Sequence, residues 1–427
     1  MGSKIRSFFE REIKIEILIN ILLYSVIIIM PFIVVNVSFP KYMVGKQIYL
    51  YAVGLLLTLI IIYLRPKKFN KEEIVAFIFL FTIMIPTVFS PVREIALWGS
   101  PERGEGLIIF FIYIMLFFLS HRYLIVNEKL LNTILIAASI MSLYSLIQYY
   151  GNDPIQKWML GYINNPYSIG LIGNRNFLSS YLCIFLFISM AIYIFYSKKK
   201  YLIYSSILFA GLICTFTRSG WLAFLIYSIL GLFFIVKNKN RLKKALILFM
   251  IFSSIFTILN LSSNNEVSNR AIKTVYVDDI SKELVVQDSG RIIISKIVLK
   301  AFLDNPFMGW GPDTLMYRLN DDYNELQNEY LNSHGGYIDK AHNEFLEYAV
   351  CNGVFNLLAY LVLIGLIIYK LIGEINNDIS KVLLLTIIGY LVQSLFNISV
   401  IMVAPLYWIL LGFSLQKSKS ELLITNI

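Results

Sequence analysis

The sequence predicts an all-α protein, a polytopic integral membrane bundle of about twelve transmembrane helices with one large, partly helical extracytoplasmic loop. The first observation is composition: 58% of the 427 residues are hydrophobic, 15% are charged and the mean hydropathy is +0.70. A soluble domain needs more polar surface. The second observation is that long apolar runs recur, and as helices such runs can pair all of their own backbone groups within the membrane. The third is a polar stretch, 262–343, that interrupts them.

Each apolar run is interpreted as a membrane span because of its length and hydrophobicity, and its ends are placed to within a few residues. The last run is short and contains Pro405. The first is too long for a signal peptide and lacks a small-residue cleavage site. Three parts follow: an N-terminal bundle at 1–261, a loop at 262–344 carrying catalytic motifs, and C-terminal helices at 345–427. The predicted spans are 15–37, 47–64, 74–90, 106–119, 130–150, 176–196, 201–216, 219–236, 245–261, 345–371, 382–402 and 404–416.

Lysine and arginine are distributed unequally over alternate loops. Twenty-two of the 37 lie at the two termini and in the loops on their side, seven lie in short loops on the other side, and eight lie in the long loop. Because cytoplasmic loops retain positive charge, we expect a multi-pass protein of the bacterial cytoplasmic membrane with cytoplasmic termini. The net charge of +10 is then explained by the lysines and arginines of the cytoplasmic loops, which face anionic lipid, and no nucleic acid partner is needed to explain it.

Cysteines and intramembrane charges exclude several other classes. Cys183, Cys214 and Cys351 lie in or beside apolar runs, which predicts three inert thiols, and no metal-ligand spacing is visible. The predicted spans are almost free of ionisable residues, with Glu16 and Glu347 near their starts. Ion-coupled carriers keep such groups at the midplane, so a pump or proton-driven carrier is disfavoured.

Arginines gather instead at the outer ends of spans. They are Arg103, Arg175, Arg218 and, in the long loop, Arg291. Each alone is explained by snorkelling to the interface, but guanidinium also suits bidentate binding of phosphate at a half-dry surface. Their concentration on one face therefore indicates a lipid-linked phosphate or pyrophosphate. Arg218 occupies a turn of only a few residues between two spans.

The long loop contains an apolar run at helical spacing after Gly290, in which Lys296 and Lys300 share a face and which Pro306 ends. The pattern predicts an amphipathic helix lying along the membrane, with Arg291 in its first turn. A basic interfacial helix that binds lipid headgroups in general is the alternative. More polar sequence, ending near Tyr330, predicts a second helix.

The three histidines differ in their predicted location relative to the membrane. His121 is expected on the cytoplasmic side, and His334 precedes two glycines, which is typical of a solvated loop residue. His342 lies with Asn343 at the mouth of the tenth predicted span, where an imidazole can take a proton from a hydroxyl near neutral pH. Asn343 is assigned to substrate binding, and helix capping is the alternative.

At these residues the chain resembles the O-antigen ligase and O-antigen polymerase superfamily. The resemblance extends from about Gly173 to Leu371, and in a segment at 173–177 this chain has Arg175 where a proline is more usual. The motifs that carry it are Thr-Arg-Ser-Gly-Trp at 217–221, Gly-Arg at 290–291, Asn-Pro at 305–306 with Gly-Trp-Gly at 309–311, Ala-His-Asn-Glu-Phe-Leu at 341–346, and Asn-Gly at 352–353.

The resemblance implies a metal-independent, cofactor-free, inverting glycosyltransferase. It would move a glycan from undecaprenyl pyrophosphate to the hydroxyl of a glycan, lipid or protein acceptor on the extracytoplasmic face. Arg218 and Arg291 would hold the pyrophosphate, and His342 would orient or deprotonate the acceptor hydroxyl. Arg103 and Arg175 would belong to the same anion-binding face.

Two alternatives remain open at the level of sequence. A repeat-unit polysaccharide polymerase would use the same residues and the same lipid carrier. A lipid-linked glycan flippase would need a polar path through the spans, which the sequence does not show, and its activity would persist without His342.

Overall fold

The structure is a computed structural model that describes residues 2–36, 42–163, 167–275 and 285–416, and the side chains of these except 2–13, 273–275 and 285–289. All regular structure in these ranges is helical, which confirms the all-α class. The topology residues Lys41, Lys417 and Lys419 lie outside the described residues.

The first eleven helices cover the N-terminal part of the chain. They are α1 (Gly2–Ile28), followed by a 3-10 turn (Met30–Phe32), α2 (Val44–Leu64), α3 (Lys71–Phe89), α4 (Arg93–Trp98), α5 (Leu107–Tyr123), α6 (Glu128–Tyr149), α7 (Pro154–Leu160), α8 (Arg175–Tyr196), α9 (Lys199–Cys214), α10 (Arg218–Ile235) and α11 (Lys239–Ser262).

The remaining helices build the long loop and the C-terminal part. They are α12 (Glu266–Val275), α13 (Val285–Asp304), α14 (Leu315–Asp322), α15 (Asn324–His334), α16 (Glu344–Asn352), α17 (Val354–Gly373), α18 (Asp378–Ser394) and α19 (Ala404–Ser414). Over its described residues, the predicted interruption therefore contains four helices of its own, α12 to α15.

Over the described ranges, eight helical segments are long and apolar enough to cross a membrane: the end of α1 with the 3-10 turn after it (Lys14–Phe32), α2, α3, α6, α8, α10, α11 and α17. The apolar α5 and α19 are shorter. Two other predicted spans, α9 and α18, have 16 and 17 residues. The structure thus supports a polytopic helical membrane protein, without confirming the count of about twelve.

Two predicted spans have wrong boundaries. The run 345–371 is divided at Gly353, whose φ of +88° ends α16 and turns the chain into α17. The run 382–402 is helical only to Ser394, and residues 395–403 form the connection to α19. Both runs are apolar on average, so their mean hydropathy gives no sign of either break.

The helices differ strongly in burial. The hydrophobic window of α8 is 94% buried and that of α11 only 17%, so α8 lies inside the bundle and α11 at its periphery. Cys183, Cys214 and Cys351 are buried free thiols, as expected. Arg103 lies just before the start of α5, and α8 and α10 begin with Arg175 and Arg218. These three arginines therefore lie at the same end of the bundle.

Lys46 departs from the prediction that the spans lack ionisable groups. The sequence places it in a short outer loop, but it lies in the first turn of α2 and is fully buried. Its ammonium group donates to the carbonyls of Ile33, Tyr42 and Leu171 at 2.8, 2.9 and 2.8 Å. All three donors are thus satisfied by backbone, so Lys46 ties α2 to two connecting segments.

Candidate functional site

His342 lies in the segment that joins α15 to α16. This segment is fixed at Ile338, whose backbone exchanges two hydrogen bonds with the Gln327 side chain at 3.2 and 3.3 Å. His342 itself adopts a left-handed backbone conformation with φ of +51°. A non-glycine residue is held there at a cost of roughly 1 to 3 kcal/mol, which the surrounding structure must offset. Asn343 caps α16, since its side-chain oxygen accepts from the Leu346 amide at 3.0 Å.

The surroundings of His342 are cationic. Burial lowers the pKa of His342 to about 4, and the charges of Arg291, Arg103 and Lys340 add to this effect while Asp339 opposes it. The imidazole is therefore neutral at pH 7 and has a free lone pair. Arg291 and Arg103, two of the predicted site residues, are thus brought to His342 from positions distant in the chain.

Arg103 is held by a specific ion pair. Its guanidinium contacts the Asp339 carboxylate through Nε at 2.7 Å and through Nη2 at 2.5 Å. It also lies over the Phe177 ring, with 5.8 Å between the guanidinium carbon and the ring centroid. Because Phe177 is in the first turn of α8, Arg103 connects the His342 segment to the start of that helix.

The starts of α8 and α10, which carry Arg175 and Arg218, are in contact with each other. The Thr217 hydroxyl donates to the Arg175 carbonyl at 3.2 Å, so the first turns of α8 and α10 are in contact. The Arg175 guanidinium lies 4.2 Å from the Tyr167 ring centroid. The Arg218 Nε donates to the Arg270 carbonyl in α12 at 3.3 Å. The structure thus forms two adjacent groups, one around His342 and one around Arg218.

Polar residues of the C-terminal part fix the start of α8. The Asn397 amide donates to the Asn176 carbonyl at 3.2 Å and to the Ser180 hydroxyl at 3.0 Å, and Gln393 reaches the same carbonyl at 3.5 Å. These two polar side chains therefore orient the helix that begins with Arg175.

The glycines of the 305–312 turn lock the loop onto the bundle. A Cβ at Gly309 would lie 2.0 Å from the Cys351 carbonyl oxygen, and the Gly311 amide donates to that same oxygen at 2.8 Å. The Val354 amide donates to the Pro306 carbonyl at 2.8 Å. The turn therefore docks where the chain breaks between α16 and α17, close in sequence to His342.

The predicted interfacial helix is α13, and two details differ from the prediction. It begins at Val285, so Arg291 is in its second turn. One face packs on protein rather than lying on lipid, while Ile292, Leu299 and Leu303 remain exposed. The buried face and its partners form a second core of Ile294, Ile297, Val298, Ala301, Leu315, Leu319, Ile338, Ala341, Val350 and Cys351. This core holds Arg291 and His342 in one unit.

His334 is not the freely solvated residue that the sequence suggests. It ends α15, and its ring stacks on Tyr330 with centroids 4.4 Å apart and an interplanar angle of 5°. A Cβ at Gly290 would lie 3.3 Å from the His334 Cδ2. The glycine before Arg291 therefore lets α13 approach α15 closely. His121 lies at the opposite end of α5 from Arg103, paired with Glu73 at 3.0 Å.

Sequence reasoning missed a buried ionic cluster beside His342, made of Lys340, Asp313, Glu347 and Glu105. Side chains of Lys340 and Asp313 are each only 2% exposed, and their charged atoms are 3.1 Å apart. The only sequence signal is position, since Lys340 stands two residues before His342. Within the described part of the chain, no group of three or more His, Cys, Asp or Glu residues is placed to hold a metal ion.

Comparison with known proteins gives one match, which covers less than half of the chain. Residues 203–361 match the family described as O-antigen ligase. The matched segment contains Arg218, Arg291 and His342 and excludes Arg103 and Arg175. No curated protein matches the chain. Residues 203–361 thus match an O-antigen ligase domain, and this match supports a relation of that segment to the O-antigen ligase and polymerase superfamily.

Proposed function

We propose that the protein transfers a glycan from undecaprenyl pyrophosphate to an acceptor hydroxyl on the extracytoplasmic face of the bacterial cytoplasmic membrane, with inversion and without a metal. One observation carries the proposal. A neutral imidazole, that of His342, is held among the cations Arg291 and Arg103, and the segment that contains His342 and Arg291 matches the O-antigen ligase family. A neutral imidazole can accept the proton of a hydroxyl, and the fixed cations beside it can stabilise an anionic leaving group.

The proposed reaction assigns a role to each of these residues. His342 accepts the proton of the acceptor hydroxyl while its oxygen attacks the anomeric carbon from the face opposite the pyrophosphate. The bond between that carbon and the pyrophosphate oxygen breaks, and the electron pair leaves with the pyrophosphate. Arg218 and Arg291 stabilise the charge that develops there, and preorganised cations of this kind act most strongly in a partly water-excluded site.

Arg103 and Arg175 extend the anion-binding face toward the incoming donor. Arg103 is paired with Asp339, so its charge is partly neutralised, and its main effect is to hold the His342 segment against α8. Arg175 lies against Tyr167 at the start of a buried helix. Loss of either is expected to cost less than loss of Arg291 or Arg218.

The test is release of undecaprenyl pyrophosphate by the purified protein from a lipid-linked glycan, with and without acceptor. Arg291→Ala, Arg218→Ala and His342→Ala should each lower the rate by about 100-fold or more, as does removal of a charge-stabilising donor in other enzymes. Arg93→Ala, an exposed arginine at the start of α4, is the matched control and should retain activity.

Full activity in folded Arg291→Ala and His342→Ala proteins would overturn the assignment. Acceptor choice then separates the finer alternatives. Growth of a glycan on the same lipid carrier would identify a repeat-unit polymerase, and transfer to a lipid core or a protein would identify a ligase. Movement of lipid-linked glycan across vesicles without any release would instead identify a flippase.

A further inference from the structure

Lys340 is the least exposed cation near the proposed site. Its Nζ lies 3.1 Å from Asp313 Oδ1, 3.1 Å from Glu347 Oε1 and 3.9 Å from Glu105 Oε2. Asp313 precedes α14, Glu347 is in α16 and Glu105 is in the turn between α4 and α5. One ammonium group therefore joins three separate parts of the chain beside His342.

Two of these carboxylates also hold the backbones that carry site residues. Asp313 Oδ2 accepts from the amides of Ser100 and Glu105 at 2.6 and 3.1 Å, which bracket Arg103 in its turn. Glu347 Oε2 accepts from the Ala341 amide at 2.8 Å, directly before His342. Through these contacts Lys340 couples the Arg103 turn to the strained backbone of His342.

The cluster is an expensive way to stabilise a fold. Removing an ammonium group from water costs several kcal/mol, and well-packed apolar side chains often replace buried ion pairs without loss of stability. Burial alone would lower the pKa of Lys340. The charges of Asp313, Glu347 and Glu105 outweigh burial and hold this pKa well above its ordinary value, so the lysine stays charged. Burial raises the pKa of Glu105 well above its ordinary value, and the charge of Lys340 opposes this effect.

We infer that Lys340 is a positioning residue for the proposed transfer, one that sets the placement of His342 relative to Arg103 and Arg291. The inference rests on the proposed function and adds a residue outside its motifs. Lys340 acts through its carboxylate partners and through its own charge, and it need not touch the substrate.

Lys340 also has an electrostatic effect that a purely structural residue would lack. The groups facing His342 are Arg291 from α13, Arg103 from the turn before α5, and Asp339 and Lys340 from its own segment. Removing the Lys340 charge leaves one fewer cation, so the pKa of His342 should rise. The ascending limb of kcat/KM against pH should therefore move to higher pH by roughly half a unit or more.

The experiment compares Lys340→Met with Lys340→Arg, using lipid-linked glycan extracted from cells that lack this protein as the donor. Per folded protein, Lys340→Met should lose about tenfold or more in kcat and show the shifted limb. Lys340→Arg should keep the wild-type limb and most of the activity. Lys340→Met combined with Glu347→Gln removes one charge of each sign, and it provides a folded reference if the single variant does not fold.

Two results would overturn the inference. One is wild-type kcat in either folded variant that lacks the lysine, and the other is an unshifted limb in Lys340→Met. His342→Ala, measured beside them, separates the two proposals. If wild type is active and His342→Ala is not, an unchanged kcat in Lys340→Met refutes the positioning role of Lys340 and leaves the proposed function intact. If wild type releases nothing, the proposed function fails and this inference fails with it.

Discussion

The contact between Gly309 and the end of α16 gives the sharpest test of how the loop docks. A Cβ built at Gly309 lies 2.0 Å from the Cys351 carbonyl oxygen and 2.2 Å from its carbonyl carbon. Contacts below 3.0 Å do not occur for real Cβ atoms, so in Gly309→Ala the backbone of one segment must move by about an ångström or more. The same oxygen accepts from the Gly311 amide at 2.8 Å, and that hydrogen bond would break.

The cost follows from these two effects. Overpacking a tight contact costs roughly 1 to 3 kcal/mol. Leaving a buried amide or carbonyl unpaired costs roughly another 1 to 3 kcal/mol. Because the membrane-spanning helices do not depend on this contact, we expect the cost of about 2 to 6 kcal/mol to appear as local opening of the loop rather than as global unfolding.

Thiol labelling measures that opening directly. Cys351 is 3% exposed beneath the turn, whereas Cys183 is fully buried in α8. With labelling identified by peptide mass spectrometry, Gly309→Ala should speed maleimide reaction at Cys351 by roughly 30-fold or more and leave Cys183 unchanged. Gly336→Ala, in the same loop with open space around its Cβ, is the matched control. Equal Cys351 rates in the two variants would refute the docking role of the turn.

Three further predictions follow from the site. Because the pKa of His342 is about 4, kcat/KM should stay near its plateau at pH 5 and fall only below it, whereas a limb near pH 6.5 in a pH series would contradict this. Because unfolded His342 takes up its proton near pH 6.5 and the folded residue only near 4, apparent Tm should fall as pH drops through that window, and His342→Gln should flatten the fall. Arg103→Lys keeps one charge but loses the two-point contact with Asp339, so it should lose about tenfold in release rate, unlike exposed Arg93→Lys.

Much of the fold could be predicted because it depends on local properties of the chain. The starts of α8 and α10 agree with the predicted spans to within one residue, since in each case polar residues directly precede a long apolar run. The division at Gly353 could not be predicted in this way. It is caused by the 305–312 turn, where a Cβ at Gly353 would lie 2.3 Å from the Phe307 carbonyl oxygen.

Some residues of the candidate site could likewise be identified from the sequence, and others could not. Arg218, Arg291 and His342 were accessible to sequence reasoning because each stands in a short motif at the edge of an apolar run. Lys340 was not, because its neighbours in sequence give no sign that it is buried or that Asp313 lies against it. Asn343 was assigned to substrate binding, and the structure gives its side-chain oxygen the alternative role of capping α16.

The sequence by itself determined that this is a helical membrane protein with a polar loop and arginines beside it, because hydropathy and span length are properties of contiguous residues. Only the tertiary structure decided which charges meet. Arg103 pairs with Asp339 across 236 positions of chain, and His342 owes its neutral state to burial and to cations from other segments. Desolvation and Coulomb interaction depend on distance in space, which no local pattern in the chain records.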